Sequence, residues 1–366
     1  MFSQLQTIII ERIHDPRSPR NQRHPFLSIV ITAVLAVMAG CTNFTQIEEY
    51  VEVNFDDLEE WIPFPNGVPS HDTYARVLES INPQELFQIC IAHITNHTSH
   101  TDVGELLHCD GKVICNTKEA LCMVSMWASK NQLMLGQQKV DGKSNEITAI
   151  PVLLDNIEIK DKIITIDAMG AQRAICEQIK EKGGDYVIAL KGNQTTLFDD
   201  VKTYFKDNST SLINENVDKG HGRIEIRKAF VQTDISWLKD GHKWPGIEAI
   251  GMIESTITKK KKTTTELRYY ISSVKKLTAE KLNEIVRAHW SIENQLHWRL
   301  DVLWNEDKSC IRNTQAAENM HTLRVLALNI VSEIATKQNK SSASVIRKFS
   351  RSLSYMRKTL KGFFHA

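Results

Sequence analysis

Three acidic residues lie in apolar surroundings, where an ionised carboxylate needs a partner. Asp110 and Asp167 each end a short apolar run that is typical of a buried β-strand. Glu293 lies on a helical stripe in which apolar residues recur every three or four positions, so we expect it on the core-facing side. A turn or a helix N-cap is the alternative interpretation for each aspartate, and a buried Glu–His pair is the alternative for Glu293.

Separated carboxylates of this kind suit a pair of divalent cations. In α/β sheets ligands bind at the carboxyl ends of the strands, where Asp110 and Asp167 are expected. Hard oxygen ligands favour Mg²⁺ or Mn²⁺. Two such ions can activate a water molecule or a 3′-hydroxyl and stabilise the leaving oxygen of an in-line phosphoryl displacement. The residue types therefore predict metal-dependent chemistry on a phosphodiester.

The elements that must position these acids differ in character along the chain. We predict a helical N-terminal domain over 1–100, a mixed-sheet α/β core over 101–206, a β-rich insertion over 207–276, a second part of the core over 277–335 and a basic tail over 336–366. The insertion has three strand-like runs, at 224–231, 247–257 and 266–273, and a hairpin tip at Lys259–Lys262. We expect one continuous helix over 278–300 and short helices at Glu146–Leu154 and Ala171–Lys182.

Composition excludes several classes of protein. The 366 residues suffice for two or three domains, and 42% apolar with 24% charged residues excludes a disordered, collagen-like or coiled-coil chain. Net charge is only +1, so any nucleic-acid surface must be local. Seven scattered cysteines without CxxC argue against a disulfide framework or a zinc module and fit a reducing cytoplasm. The apolar run Leu27–Cys41 is too short to span a bilayer and predicts a buried helix.

Several other residues could contact DNA. Lys191, Asn193 and Gln194 follow a strand end, where a polar loop is the alternative. Trp290, Trp298 and Trp304 surround Glu293, and either core packing or stacking on an unpaired base explains them. Arg223 and Arg227 share one strand face, which is either a DNA-facing or a solvated edge. The tail carries the basic residues Arg347, Lys348, Arg351, Arg357, Lys358 and Lys361, which could neutralise phosphates. A zinc-binding helix face of His93, His97 and His100 is a separate hypothesis.

Long motifs run through nearly the whole chain. They include DPR at 15–17, PNGVPSHDTYARV at 65–77, DGK at 110–112, DGKSNEITAIP at 141–151, TIDAMG at 165–170, DYVIALKGNQ at 185–194, HGRIEIR at 221–227 and RAHWSIENQLHWRLDVLWNED at 287–307. With these motifs the chain resembles the H-repeat-associated (Rhs element-associated) bacterial insertion-sequence transposases, a DDE family.

The resemblance implies a fold, a reaction and a site. The fold would be a ribonuclease H-like α/β core. Asp110, Asp167 and Glu293 would be the DDE triad and would bind two Mg²⁺ or Mn²⁺ ions. The activity would be strand cleavage at transposon ends and strand transfer to target DNA, by a homodimer on double-stranded DNA in the bacterial cytoplasm, at the nucleoid and away from membranes. Candidate DNA contacts are Lys112, Lys191, Asn193, Gln194, Arg223, Arg287, His289, Trp290, Asn294, His297 and Trp298.

Two departures from the family pattern support an alternative function. The segment after Lys112 is shortened and lacks an arginine that the family usually has there. His289 and Leu300 occupy positions where the wider superfamily often has an arginine and a lysine. The alternative is therefore a decayed transposase copy that binds DNA without cutting it.

Overall fold

The structure, a computed structural model, describes residues 7, 9–20, 22–97, 104–114, 121–141, 145–207, 213–220, 222–260 and 262–364. The N-terminal region is helical, as predicted. Its helices are α1 (Phe26–Met38), α2 (Phe44–Val53), α3 (Phe55–Glu59), α4 (His71–Ser80) and α5 (Pro83–His97).

Among the described residues, nine strands form a mixed sheet, which is the α/β part of the molecule. Its strands are β1 (Leu106–Ile114), β2 (Leu121–Ala128), β3 (Leu133–Lys139), β4 (Ile163–Ile166), β5 (Asp185–Leu190), β6 (Ile213–Gly220), β7 (Arg223–Gln232), β8 (Ala249–Lys259) and β9 (Lys262–Ser272). Their order across the sheet is β3-β2-β1-β4-β5-β9-β8-β7-β6. β4 pairs in parallel with β1 and with β5, and the other neighbouring strands are antiparallel.

The remaining helices cover the sheet or follow it. They are α6 (Glu146–Asp155), α7 (Arg173–Glu181), α8 (Thr195–Asp207), α9 (Ser236–His242), α10 (Ala279–His289), α11 (Trp298–Trp304), α12 (Thr314–Lys337), α13 (Ser342–Arg351) and α14 (Leu353–Phe364). Apolar residues of α6 to α9 pack on one face of the sheet, and those of α10 pack on the other. The predicted helices at Glu146–Leu154 and Ala171–Lys182 are confirmed as α6 and α7.

The strands of the predicted β-rich insertion continue the core sheet. β9 pairs with β5, with Ser272 opposite Val187, and β8, β7 and β6 follow in sequence. The hairpin tip lies where Lys259 and Lys262 pair at the end of β8 and β9. β6 was not predicted, because its polar residues form no apolar run. The insertion is thus an extension of the sheet, while its exact boundaries stay a prediction.

The prediction of one continuous helix over 278–300 is wrong. α10 ends at His289, and the segment Ile292–His297 forms a π-helical turn before α11 begins. A π turn holds more residues than an α turn, so the apolar stripe changes phase there. Ile292 is buried in its place, whereas Glu293 is exposed and does not face the core.

The residues predicted as a basic tail are folded where the structure describes them. α13 and α14 are amphipathic, with Val345, Phe349, Met356 and Leu360 buried in the helical core. The description of this region as a tail is therefore wrong. Its apolar residues recur at helical spacing, which the abundance of Lys and Ser obscured.

α1 is the centre of the helical part. Its residues from 28 to 38 are all buried, and α12 packs against α1, α4 and α5. The indole Nε1 of Trp304 donates a hydrogen bond to the Val37 carbonyl at 2.7 Å. Trp304 is therefore a core residue, as the packing interpretation held. Within the described ranges, no helix is both long and apolar enough to span a bilayer.

A buried ion-pair network joins the sheet to the C-terminal helices. Fully buried Glu306 lies 2.9 Å from His321 Nδ1, 3.1 Å from Lys112 Nζ and 3.3 Å from Arg324 Nη1. Burial acts to raise the pKa of Glu306, but these basic partners hold it well below its usual range. Lys112 also pairs with Asp301 at 2.6 Å. The network therefore ties β1 to α11 and α12.

Removing the Glu306 carboxylate should destabilise the folded protein. Glu306→Ala leaves Arg324 buried without its counter-ion and Lys112 with Asp301 alone, which should lower the free energy of unfolding by about 3–5 kcal/mol. Urea denaturation measures this change. The exposed neighbour provides the control, because Asp307→Ala should stay within about 0.5 kcal/mol of the wild type. Equal losses in the two variants would contradict the role given to the network.

Candidate active site

A cavity of about 510 Å³ opens at the carboxyl ends of β4 and β5, beside the middle of β1. Asp110, Asp167 and Glu293 all line it, although they are far apart in sequence. Lys191 and His289 are also part of its wall. The three acids singled out in the sequence therefore share one concave surface, at the edge where α/β sheets bind ligands.

The strand register explains why the two aspartates are neighbours. Cys109 lies opposite Ile166 in the parallel pairing of β1 and β4. Asp110 is the next residue on β1, which continues to Ile114, so the prediction that Asp110 ends its strand is wrong. Asp167 follows the last residue of β4. Paired strands run about 4.8 Å apart. The two carboxylates therefore leave the sheet side by side.

Asp110 experiences the charges of the other acids. Burial raises the pKa of Asp110 to about 7, and the negative charges of Glu146, Glu293 and Asp167 add to the shift while the Gly111 N–H opposes it. Like charges that share a site disfavour the ionised form. The cavity therefore holds an excess of negative charge that a cation would relieve.

Asp167 is both a cap and a cavity residue. Its Oδ1 accepts a hydrogen bond from the Ala168 N–H at 2.6 Å, at the start of the 3₁₀ turn Ala168–Gly170. The same oxygen lies 3.5 Å from Lys191 Nζ. The N-cap interpretation of the sequence is thus correct for this residue, and it does not exclude a second role, because half of the side chain is exposed.

Asn193 and Gln194 support the turn that follows Asp167. Asn193 Nδ2 donates to the Ala168 carbonyl at 2.7 Å, and Gln194 Nε2 donates to the Ala171 carbonyl at 2.8 Å. Their amides are used inside the protein. They help to fix the backbone beside Asp167, and the prediction that they contact DNA stays a prediction.

Lys112 and His297 are also engaged internally. Lys112 is only 10% exposed and is occupied by Asp301 and Glu306, so it does not present its charge to a ligand. His297 Nδ1 lies 3.8 Å from Asp110 Oδ2. Burial lowers the pKa of His297 to about 3, and the charges of Lys112 and His321 act in the same direction. Neutral His297 borders Asp110 rather than an exposed phosphate-binding surface.

Glu146 is a fourth carboxylate that the sequence analysis missed. It begins α6 after Asn145, whose side chain accepts a hydrogen bond from the Ile147 N–H. A Cβ atom on Gly111 would lie 2.1 Å from Glu146 Oε1, so only glycine lets this carboxylate lie against β1 beside Asp110. Burial raises the pKa of Glu146, and the charge of Asp167 adds to the shift. A glycine within a strand was the available signal, because it marks close approach of another group.

A buried chain of hydrogen bonds lies below the acids. Thr165 Oγ1 is 2.6 Å from His108 Nδ1 and 2.7 Å from His289 Nδ1. Burial lowers the pKa of both imidazoles. This chain fixes α10 against β1 and β4, and hence sets where the following Glu293 turn begins.

Trp290 and several of the predicted basic contacts lie beside the cavity. Trp290 is 40% exposed and lines it, with the Arg268 guanidinium 5.1 Å from the indole centroid. Trp298 is 59% exposed. Arg223, Arg287 and Asn294 line a second cavity that adjoins the first.

Two metal sites were predicted, a zinc site on a histidine-bearing helix and a divalent-cation site among the acids. His100 lies outside the described residues, as do the side chains of His93 and His97, so the zinc hypothesis stays a prediction. Within the described part of the chain, no three His, Cys, Asp or Glu side chains are close enough to share one ion. The acids of the cavity supply only oxygen donors, which is the donor set that Mg²⁺ and Mn²⁺ prefer.

Two family models match this chain. Residues 115–330 match the model of the transposase DDE domain, and residues 8–94 match the DDE_Tnp_1-associated domain that accompanies it. The chain belongs to the DDE transposase family. The first match spans most of the sheet and the Glu293 turn, and the second spans the N-terminal helices.

Curated relatives are similar in sequence to this transposase over most of their length. The chain is 37% identical over 340 residues to the "H repeat-associated putative transposase YhhI" of Escherichia coli K12, covering 88% of this chain and 89% of the relative. It is 37% identical over 337 residues to YbfL of the same strain, with the same coverage. YncI of E. coli O157:H7 is 37% identical over 336 residues, or 88% of this chain and 86% of the relative. The resemblance to the H-repeat-associated transposases is therefore confirmed.

The raised pKa of Asp110 predicts how stability depends on pH. The folded state binds this proton more tightly than the unfolded chain, so its stabilising effect is full below about pH 4 and is lost as pH rises through about 7. Asp110→Asn has no such titration. Relative to wild type, its free energy of unfolding should therefore rise by about 1–3 kcal/mol between pH 5 and pH 8. Urea denaturation at both pH values measures the gain. Exposed Asp56→Asn should show no gain, and a flat difference for Asp110→Asn would contradict the crowding of charge.

Proposed function

We propose that this transposase cuts DNA at transposon ends and joins the freed 3′-hydroxyl to target DNA with the help of two Mg²⁺ or Mn²⁺ ions. The observation that carries the proposal is that Asp110, Asp167 and Glu293 line one cavity and that the charges of the other acids act on Asp110. Crowded carboxylates fit divalent cations, because the cation offsets their repulsion and oxygen is its preferred ligand.

We further propose that the core of the sheet is ribonuclease H-like. The strand order β3-β2-β1-β4-β5 supports this. β3, β2 and β1 are antiparallel neighbours, and β4 and β5 follow as strands parallel to β1. The strands β9 to β6 would then be the family's insertion, added to the β5 edge between the second aspartate and the glutamate.

Each acid has a proposed role. Asp110, at the centre, would bridge both ions, and Asp167 and Glu293 would each complete one site. With both ions bound, the site would activate a water molecule or a 3′-hydroxyl for in-line attack and stabilise the leaving oxygen. Lys191 would balance charge beside Asp167, while His289 would hold the start of the Glu293 turn through Thr165.

Double-stranded DNA is the proposed partner, both as transposon terminal repeats and as target. Trp290 lines the cavity and Trp298 is exposed at the start of α11, so both could stack on a base, and Arg223 and Arg287 could meet phosphates. The basic side chains of α13 and α14 offer a further phosphate-binding surface. A homodimer acting on paired ends in the bacterial cytoplasm, at the nucleoid, completes the proposal.

Loss of the Asp167 carboxylate should abolish metal-dependent nicking and leave DNA binding intact. Asp167→Asn keeps the size and the cap of the side chain but removes the charge that would bind a cation. Nicking of a supercoiled plasmid carrying the element's ends, with Mn²⁺, measures activity, and a gel shift measures binding. Asp161→Asn is the matched control, since Asp161 is exposed just before the other end of β4. Equal nicking by both variants would sink the assignment.

The same assay tests the second function. A wild-type chain that shifts DNA but never nicks it, over a range of Mn²⁺ and Mg²⁺ concentrations, would favour a decayed copy that acts only as a DNA-binding protein. The segment that motivates this alternative begins after Lys112, and its residues 115–120 lie outside the described part of the chain. The presence of all three acids in one cavity supports the active form.

Glu146 should assist the metal site. Its carboxylate lies against Gly111 beside Asp110, so Glu146→Gln should lower nicking by about 10- to 100-fold, the usual cost of disturbing a group behind metal ligands. The Mn²⁺ concentration for half-maximal nicking should rise as well. Glu177→Gln, on the exposed side of α7, should behave as wild type. An unchanged Mn²⁺ requirement in Glu146→Gln would exclude it from the site.

A further inference from the structure

A second cavity of about 390 Å³ adjoins the candidate active site. It lies over the outer strands β7, β8 and β9, against α10 and the π turn that carries Glu293. Arg268, Tyr270 and Trp290 line both cavities. One wall therefore separates the candidate acids from this second space, which is roomy enough for a group of nucleotide size.

Buried polar atoms in this cavity lack hydrogen-bond partners among the described residues. The Arg227 side chain is only 9% exposed, and its Nε has no hydrogen-bond partner. Ser291 Oγ and Gln295 Oε1 are also buried without a partner, and both residues line the cavity. Buried polar groups in proteins are nearly always paired, so three such atoms around one cavity indicate a ligand that completes them.

The charge of the cavity favours an anion. Arg223, Arg268 and Arg287 line it together with Arg227. Burial lowers the pKa of Arg227; Glu225 opposes the shift, and the positive charges of Arg287 and Arg268 add to it. A buried guanidinium that faces other cations is stabilised when an anion enters.

The acids of the cavity are used by the outer arginines. Glu266 accepts from Arg268 Nε at 2.9 Å, and Asp218 pairs with Arg287. Glu225 lies 3.6 Å from Arg223 and 4.0 Å from Arg227 Nε, beyond hydrogen-bond distance for the latter. Arg227 is therefore the deepest of these cations and the one whose Nε–H is left to a ligand.

We propose that this cavity is a phosphate subsite, in which Arg227 Nε and Ser291 Oγ donate hydrogen bonds to a phosphodiester of the DNA strand held at the candidate active site. Rotation of the Gln295 amide would present its NH₂ group as a further donor. The inference rests on the proposed function for its ligand, because it takes DNA as the substrate. The outer strands of the sheet would then hold the DNA strand next to the phosphate that reacts.

Salt dependence of DNA binding tests the subsite. Fluorescence anisotropy with a short labelled duplex, without divalent ions, gives the observed binding constant over a series of KCl concentrations. For Arg227→Gln the slope of log K against log salt should fall by about 1, the signature of one lost phosphate contact. Ser291→Ala should weaken binding at every salt concentration without changing the slope, because serine carries no charge. Arg173→Gln removes a charge from α7, on the opposite face of the sheet, and should leave both quantities unchanged.

Each other outcome is decisive. A wild-type slope for Arg227→Gln with wild-type affinity for Ser291→Ala overturns the subsite. If Arg227→Gln fails to fold, as urea denaturation would reveal, the affinity of Ser291→Ala decides alone. Inorganic phosphate could instead protect wild type, but not Arg227→Gln, against thermal unfolding, while the two proteins have equal slopes of log K against log salt for DNA. That result would assign the cavity to a free anion and overturn the DNA role. Nicking is measured separately, so a chain that never nicks but shows the lost slope keeps the subsite and loses the proposed catalysis.

Discussion

The parallel pairing of β1 with β4 is the constraint on which the site depends. It places Asp110 and Asp167 at equivalent positions on adjacent strands, so two carboxylates leave the sheet within one strand spacing. Burial raises the pKa of Asp110, and the repulsion from Asp167, Glu146 and Glu293 adds to the shift. Folding thus assembles a site that is electrostatically unfavourable by itself, and a divalent cation would offset the repulsion between its carboxylates.

The glutamate has to be brought to this pair from a separate helix, and two buried clusters do so. Thr165 links His108 to His289 at the end of α10, which sets the position from which the chain turns. After the turn, Lys112 on β1 reaches Asp301 and Glu306. The π turn between these clusters moves Glu293 off the buried stripe and into the cavity. π turns inside helices often occur at functional sites for this reason.

The outer strands contribute to the site through their position in the sheet. Because β9 pairs with β5, the strands that interrupt the core in sequence form the wall of the cavity in space. Arg268 on β9 belongs to that wall and lines both cavities, as does Trp290 at the end of α10. Arg227 lies behind them with an unpaired Nε, which a folded chain tolerates when a ligand supplies the missing acceptor.

The sequence by itself determined the strands that precede the two aspartates, the three acids and the family. A buried strand needs a short apolar run, and a polar residue that follows such a run is visible locally in Asp110 and Asp167. The N-terminal helices, α6 and α7 follow from the same local periodicity. Only the tertiary structure decided which side chains meet. The roles of Glu146 against Gly111, of Lys112 with Glu306 and of Asn193 behind Asp167 depend on contacts between residues far apart in sequence. The direction of the Glu293 side chain depends on a π turn, because this turn breaks the regular α-helical period from which buried positions are predicted.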